Sequence, residues 1–423
     1  MKFRSALKTI SLLWFGTFLT AVLGFANQIL LARSLGVENY GLFSASLGLI
    51  NLVIPLALFG SPAFLLKVFG ERGYAALSSL KSTSKVVAIS TMVMFSIIVA
   101  WAFFGPHDEN TKNTLLILSI SIFGLVLLEL SSVKFQLEEK YDMLFFSQLI
   151  TPFLRCVFLI AAVYFGFLST TSVSGLYVCV SVMVLLFSFY NFRLLMIGSV
   201  KLKGHKKNNT VNEPPVTLKV IFDKCSPFAF AGVFYLLWSQ SHLIIIKYML
   251  GDSSAGYFSI ALLVMNTISM LPMIIYNKFF IPKMHRWAVQ DKIKLKVLFI
   301  KGNYYMFTFG IIIGLVLYLT SEFFINTIFG SEYSDTVFLL KLFSFLLPIR
   351  FVGYNTGAIL MIKNNISVKV KIMAFVSCLN VILNLLLIEK FGLSLVVFTT
   401  IVSESILTIA YFYYSSRFFK TSF

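Results

Sequence analysis

The sequence predicts an all-α integral membrane protein of about twelve transmembrane helices, arranged as two pseudo-symmetric six-helix bundles. Three observations carry this. Hydrophobic residues make up 58% of the 423 and charged residues only 12%, against about 25% charged in a soluble domain. Apolar stretches of bilayer length, about 20 residues, recur along the whole chain. A stretch near the start, Leu35-Gly36-Val37-Glu38-Asn39-Tyr40-Gly41-Leu42-Phe43-Ser44, returns 215 positions later as Leu250-Gly251-Asp252-Ser253-Ser254-Ala255-Gly256-Tyr257-Phe258-Ser259. At the same offset Asn27 falls on His242 and Asn51 on Asn266. A repeat near half the chain length, inside apolar sequence, is the mark of a transporter built from two equivalent halves.

The segments justify themselves in order. The first, 10–32, is too long for a signal-peptide core and lacks a small-residue cleavage site, so it reads as a retained helix. It carries a polar stripe of Thr17, Thr20, Gly24 and Asn27, with Gln28 beside it. The second, 40–62, carries Ser44, Gly48, Asn51 and Pro55 at helical spacing. Segments 86–104 and 114–133 follow, the latter with Glu129; then 144–167, with Gln148, Pro152 and Arg155 on one face, and 173–197. The only long polar stretch comes next, with Lys201, Lys203, Lys206, Lys207 and Pro214-Pro215, and reads as a linker. The second half repeats the scheme at 226–249, with Ser239, Gln240 and His242, and at 256–280, with Ser259 and Asn266. It continues through 302–320, 336–361 with Lys341, Pro348 and Arg350, 367–388, and 392–415 with Glu404. The expected division is therefore an N-terminal bundle over 1–200, a cytoplasmic linker over 201–224 and a C-terminal bundle over 225–423.

Charge supplies an independent check, because Lys and Arg collect in cytoplasmic loops. With both termini inside, most of the 35 Lys and Arg fall in cytoplasmic segments, Lys363, Lys369 and Lys371 among them. The outer loops hold only Arg33, Lys112, Lys247 and Lys390, against Glu38, Asp108, Glu109, Asp252, Glu322, Glu332, Asp335 and Glu389. The net charge of +18 is spread over short juxtamembrane loops, so it implies contact with membrane lipids and not a nucleic acid partner. Six spans per half put both halves in the same orientation, about an axis along the membrane normal. Cys156, Cys179, Cys225 and Cys378 are isolated and read as small buried hydrophobes. The four His are scattered, and no metal-ligand spacing, nucleotide loop or catalytic motif is present. No metal or other cofactor is expected, and no enzymatic activity.

Functional weight falls on polar groups inside the membrane, where ionisable residues are costly. Arg155 has no acid nearby in its own segment and argues for a water-filled interior; Arg350 follows Pro348. Glu129 and Glu404 either pair with cations between helices or serve ion coupling. Asn27, Gln28, Asn51, Gln148, Gln240, His242 and Asn266 either hold helices together or line a shared pathway, and their recurrence at one offset favours the pathway.

The run Ala32-Arg33-Ser34-Leu35-Gly36-Val37-Glu38-Asn39-Tyr40-Gly41-Leu42-Phe43, between the first two of twelve membrane segments, resembles the polysaccharide flippases of the Wzx type. These O-antigen translocases belong to the multidrug, oligosaccharidyl-lipid and polysaccharide exporter superfamily. The resemblance implies two bundles flanking a central cleft that opens alternately to each side, with the first, second, seventh and eighth helices at its wall. It implies transport of an undecaprenyl-diphosphate-linked oligosaccharide across a bacterial inner membrane, for O-antigen or related surface polysaccharide synthesis. The expected partners are that lipid-linked substrate, membrane lipids and other polysaccharide assembly proteins, with the protein itself a monomer. Arg155 and Arg350 suit such a cargo, since guanidinium binds phosphate oxygens bidentately. Three alternatives remain, of which a structural scaffold would not need buried Arg. A cation-coupled multidrug exporter would show an acidic interior, and a polymerase would need a large outer loop.

Overall fold

The computed structural model describes residues 2–202, 216–362 and 366–421, and among them every regular element is helical. The linker residues Lys203, Lys206, Lys207 and Pro214-Pro215 lie outside the described residues, as does Lys363. The helices are α1 (Lys2–Leu58), α2 (Ser61–Arg72), α3 (Leu77–Phe104), α4 (Glu109–Ser119), α5 (Ser121–Leu137), α6 (Tyr141–Tyr164), α7 (Thr170–Met196), α8 (Leu218–Leu250), α9 (Asp252–Ile274), α10 (Ile281–Gln290), α11 (Lys292–Ile328), α12 (Ser334–Ser344), α13 (Leu347–Ile359) and α14 (Ile366–Thr421). Each of the twelve apolar segments is mostly helical, and 40–62 and 336–361 each cross a break between two helices. Among the described residues, seven helical runs are long and apolar enough to cross a membrane, eight if the bent pair ending in α13 is one span. Outward-facing Phe104, Tyr164, Phe167, Leu319, Phe323 and Leu386 suit a surface in contact with lipid.

Local chemistry sets the helix ends. Asp108 accepts from the amides of Asn110 and Thr111, Ser169 from Ser172, and Asp291 from Lys294, so each satisfies free amides of a first turn. Gly166 (φ 73°) and Gly198 (φ 72°) close α6 and α7. Their left-handed backbone lets the next amide, Phe167 or Ser199, reach back to Ala162 or Leu194.

The chain forms two compact units. The first comprises 1–35 and 46–233. In it α5 packs directly on α7, where a Cβ on Gly124 would sit 2.2 Å from the Ser181 carbonyl oxygen. Small residues let helix backbones approach where hydrocarbon offers no hydrophobic drive for association. A cluster of Phe64, Leu65, Phe69, Leu80, Val133, Leu195 and Ile221 also takes in Val200 and Leu202. The Tyr74 hydroxyl clamps the segment after α7, donating to Val200 O (3.0 Å) and accepting from the Leu202 amide (3.1 Å). Glu138 completes the fastening. Its carboxylate accepts the Lys201 amide (3.2 Å) and lies 2.8 Å from Lys140 and 3.7 Å from Lys134, with only 3% of its side chain exposed. Burial pushes this carboxyl up, but the Lys140 hydrogen bond, the Lys201 amide and the two lysine charges outweigh it and hold it below the usual range.

The second unit comprises 36–45 and 234–423. Gly302, Gly310 and Gly314 line one face of α11, and a Cβ on Gly310 would meet Pro348 at 2.5 Å and one on Gly314 the Ser344 carbonyl at 2.7 Å. The broken pair α12 and α13, bent by 52°, thus lies against α11. The two arms of α14, which reverse at Gly392 (φ 65°), are joined by an amide and hydroxyl chain. Asn384 donates to Asn380, Asn380 to Ser403, and Thr399 to Asn384, at 2.6 to 3.1 Å.

The duplicated turns are equivalent in backbone. Gly36 (φ 72°, ψ 172°) and Gly251 (φ 89°, ψ 173°) adopt one conformation, closed to side chains, at the same place in each copy. The next glycines bring the copies together. A Cβ on Gly41 would lie 1.9 Å from the Asp252 carbonyl oxygen, and one on Gly256 would lie 2.3 Å from that of Val37. Since 252 and 256 are the repeat partners of 37 and 41, the contact is reciprocal, as a two-fold interface would be.

Of the cysteines only Cys225 is buried. Cys179 and Cys378 are exposed, which corrects the expectation that all four are interior. A small apolar side chain is equally at home against lipid.

Candidate functional site

In the first unit, α6 carries Arg155 and α7 supplies Tyr177, whose ring centre lies 4.0 Å from the guanidinium carbon. This cation–π contact is Arg155's visible stabilisation. Its Nε is buried without a hydrogen-bond acceptor, and no carboxylate lies within ion-pair distance among the described residues. One turn earlier the Asn27 amide donates to Pro152 O at 2.9 Å, tying α1 to α6. Asn27 Oδ1 and Thr151 Oγ1 are buried and unsatisfied as well. Unmet hydrogen-bonding groups of this kind call for an occupant, water or ligand. Gln148 and Asn51 are exposed, Gln28 is half-buried and engaged, and Glu129 lies on the exposed side of α5 with no cation in range among the described residues.

The second unit brings four expected residues to one cavity of about 280 Å³: His242, Asn266, Arg350 and Glu404. Gln240 is half-buried and does not line it. Arg350, in the first turn of α13, gives its Nε to both carboxylate oxygens of Glu404 (3.0 and 2.9 Å) and its Nη2 to Oε1. Glu404 is thus the counter-ion of Arg350. His242 Nε2 meets Thr400 Oγ1 at 3.2 Å. The repeat partners Asn27 and His242 are both buried, and each makes a hydrogen bond within its own unit. Asn51 and Asn266 are both exposed. Equivalence by sequence offset thus survives as equivalence of environment.

A family model described as polysaccharide biosynthesis protein matches residues 6–287, about two thirds of the chain. The chain belongs to that family. A capsular polysaccharide biosynthesis protein of Staphylococcus aureus, CapF, is 24% identical over 320 residues, covering 75% of this chain and 70% of the relative. Among solved structures, the lipid II flippase MurJ in an inward closed conformation superposes with a TM-score of 0.73 at 16% identity, covering 96% of this chain and 87% of that one. An inward-facing multidrug resistance transporter of the MATE family follows at 0.71 and 13%, with 95% of each chain covered. This member of the polysaccharide biosynthesis family therefore has the all-α fold of those multi-pass membrane transporters.

Four contributors to these surroundings escaped sequence reading. Tyr177 and Tyr411 look like ordinary apolar-segment aromatics, as does Trp238, and Lys369 reads as one more cytoplasmic charge. The structure puts Trp238, Lys369 and Tyr411 on the cavity wall. A weak signal existed for Lys369, which begins the eleventh apolar segment instead of ending the loop before it.

Proposed function

We propose that this protein carries an undecaprenyl-diphosphate-linked oligosaccharide from the cytoplasmic to the outer leaflet of a bacterial inner membrane, by alternating access and without covalent chemistry. The cargo serves O-antigen or a related surface polysaccharide. Family membership supports the polysaccharide, and the carrier fold supports translocation. The observation that carries the reading is Arg155, a guanidinium in a bilayer-spanning helix with an aromatic face but no carboxylate against it. A fixed positive charge left unneutralised there is costly, and an anionic diphosphate is its complement.

Asn51, Gln148 and Asn266, exposed amides, offer weak contacts to sugar hydroxyls, which suits a carrier that must release its cargo. Gln28, Gln240 and His242 are secondary members of this pathway. Arg350 contributes less charge than its type suggests, because Glu404 neutralises it. Of the two acids, Glu129 is the freer to take up a coupling ion. In this reading the bundles span 1–200 and 225–423, joined by 201–224, both termini face the cytoplasm and the monomer is the working unit.

The test is deletion of the gene in its native host, followed by complementation. Loss of surface polysaccharide with accumulation of lipid-linked repeat units is expected, with Arg155→Ala failing to restore display despite normal expression. Full complementation by Arg155→Ala removes the central observation. Translocation of radiolabelled lipid-linked glycan in proteoliposomes separates a carrier from a polymerase, and polymer growth there without translocation overturns the proposal.

A further inference from the structure

The cavity of the second unit holds three charged side chains, and two cancel. Arg350 and Glu404 are locked together by several hydrogen bonds, with side-chain exposures of 13% and 7%. The remaining charge is Lys369, from the start of α14, which meets no carboxylate within ion-pair distance among the described residues. Its ammonium lies 5.9 Å from the centre of the Tyr411 ring, at the outer limit of a cation–π contact. Tyr411 is itself 3% exposed, lines the same cavity, and its hydroxyl has no hydrogen-bond partner.

One wall is built around these two groups. A Cβ on Gly357 would lie 3.2 Å from the Tyr411 ring and 3.6 Å from Lys369 Nζ. Glycine there leaves room for both groups on the cavity wall. The space, about 280 Å³, is close to the lower end of the range for small-molecule sites and has room for one sugar or one phosphoryl group.

We propose that this cavity is a seat for a single anionic group, a phosphoryl or a sugar carboxylate, held by the Lys369 ammonium and the Tyr411 hydroxyl while the Arg350–Glu404 pair stands aside as wall. The inference rests on the carrier reading only for where such a group comes from: the diphosphate of the lipid carrier or an acidic sugar of the glycan. The ammonium supplies charge, and the phenol donates a hydrogen bond to an oxyanion that no residue now accepts. Trp238 and Tyr354 on the same wall provide aromatic surface beside the seat.

The full-length protein in phosphatidylcholine nanodiscs is titrated with inorganic pyrophosphate, with glucuronate, and with glucose as the neutral control, following heat of binding. Saturable binding of pyrophosphate or glucuronate but not glucose is expected, and which anion binds tells phosphate from acidic sugar. Lys369→Met weakens it tenfold or more, and Tyr411→Phe weakens it severalfold. Gly357→Ala, which changes no charge, also weakens it by crowding both groups. Lys371→Met, which removes an exposed charge two residues along α14 and outside the cavity lining, keeps it. Equal binding by wild type and Lys369→Met overturns the proposal, as does an equal loss in Lys371→Met, or no saturable binding of either anion by a protein with an unchanged unfolding midpoint. Binding is read without translocation, so failure here leaves the carrier reading to its own test.

Discussion

Replacing Gly41 with alanine tests the reciprocal contact between the duplicated turns. The new methyl would lie 1.9 Å from the Asp252 carbonyl oxygen and 2.6 Å from the Gly256 nitrogen, both backbone atoms with no rotamer to escape into. A tolerated carbon to oxygen contact is about 3.3 Å, so the two segments must part by roughly 1.4 Å. Forcing such a shift in packed structure costs about 1 to 3 kcal/mol. Alanine returns up to about 1 kcal/mol through its better helix propensity, so at the upper end of that range the net loss is about 2 kcal/mol, roughly 30-fold in the local opening equilibrium. Gly24→Ala is the matched control, because Gly24 is also helical and nothing lies within 4 Å of its Cβ position. Hydrogen exchange read by mass spectrometry should show faster exchange over 37–41 and 252–256 in Gly41→Ala and an unchanged or slower pattern in Gly24→Ala. Gly256→Ala should reproduce the Gly41→Ala pattern, since its methyl would meet Val37 O at 2.3 Å. If both seam variants exchange like Gly24→Ala, the close approach is not a constraint and the reciprocal contact is refuted.

Glu138→Gln leaves Lys134, 6% exposed, without its counter-charge, and should lower stability by about 3 to 5 kcal/mol at neutral pH. Because the folded carboxyl is held below its usual value, its contribution is present above the unfolded value of about 4.3 and fades as pH falls through the lower folded one. Unfolding midpoints of wild type and Glu138→Gln should therefore converge below about pH 4, and a constant gap down to pH 3 contradicts the ion pairing. In the second unit, Arg350→Met strands Glu404 at 7% exposure and should cost about 3 to 5 kcal/mol, whereas adding Glu404→Gln should restore most of it. Additive losses in the two single variants and the double variant, read from detergent unfolding midpoints, would show that the two side chains do not act as a pair.

Much of the fold is legible from short-range pattern. Bilayer-length apolar runs can only be helices, because hydrocarbon offers backbone groups no other hydrogen-bond partners. Turn glycines announce themselves by type, and the equal backbone angles of Gly36 and Gly251 follow from two copies of one local sequence. The site was less legible. Arg155 stood out because an arginine without an acid nearby is rare in a membrane segment, and its isolation survives in the structure. Arg350 looked the same from sequence, yet its counter-ion is 54 residues away on another helix. Lys369 looked like a loop charge, since a lysine's position along a segment does not say whether its long side chain turns toward water or into a cavity.

By itself, then, the sequence determined the membrane class, the helical segments and the turns at Gly36 and Gly251, properties of composition and of residues within a few turns of one another, and it showed the repeat at an offset of 215. Tertiary structure alone decided which charges remain unneutralised. It paired Arg350 with Glu404, left Lys369 facing a cavity beside a vacant tyrosine hydroxyl, and set Gly41 against Asp252 and Gly256 against Val37. The reason is range. Helix formation and turn geometry are settled by neighbours in the chain, whereas the net charge of a buried site depends on which side chains from distant helices come within about 4 Å.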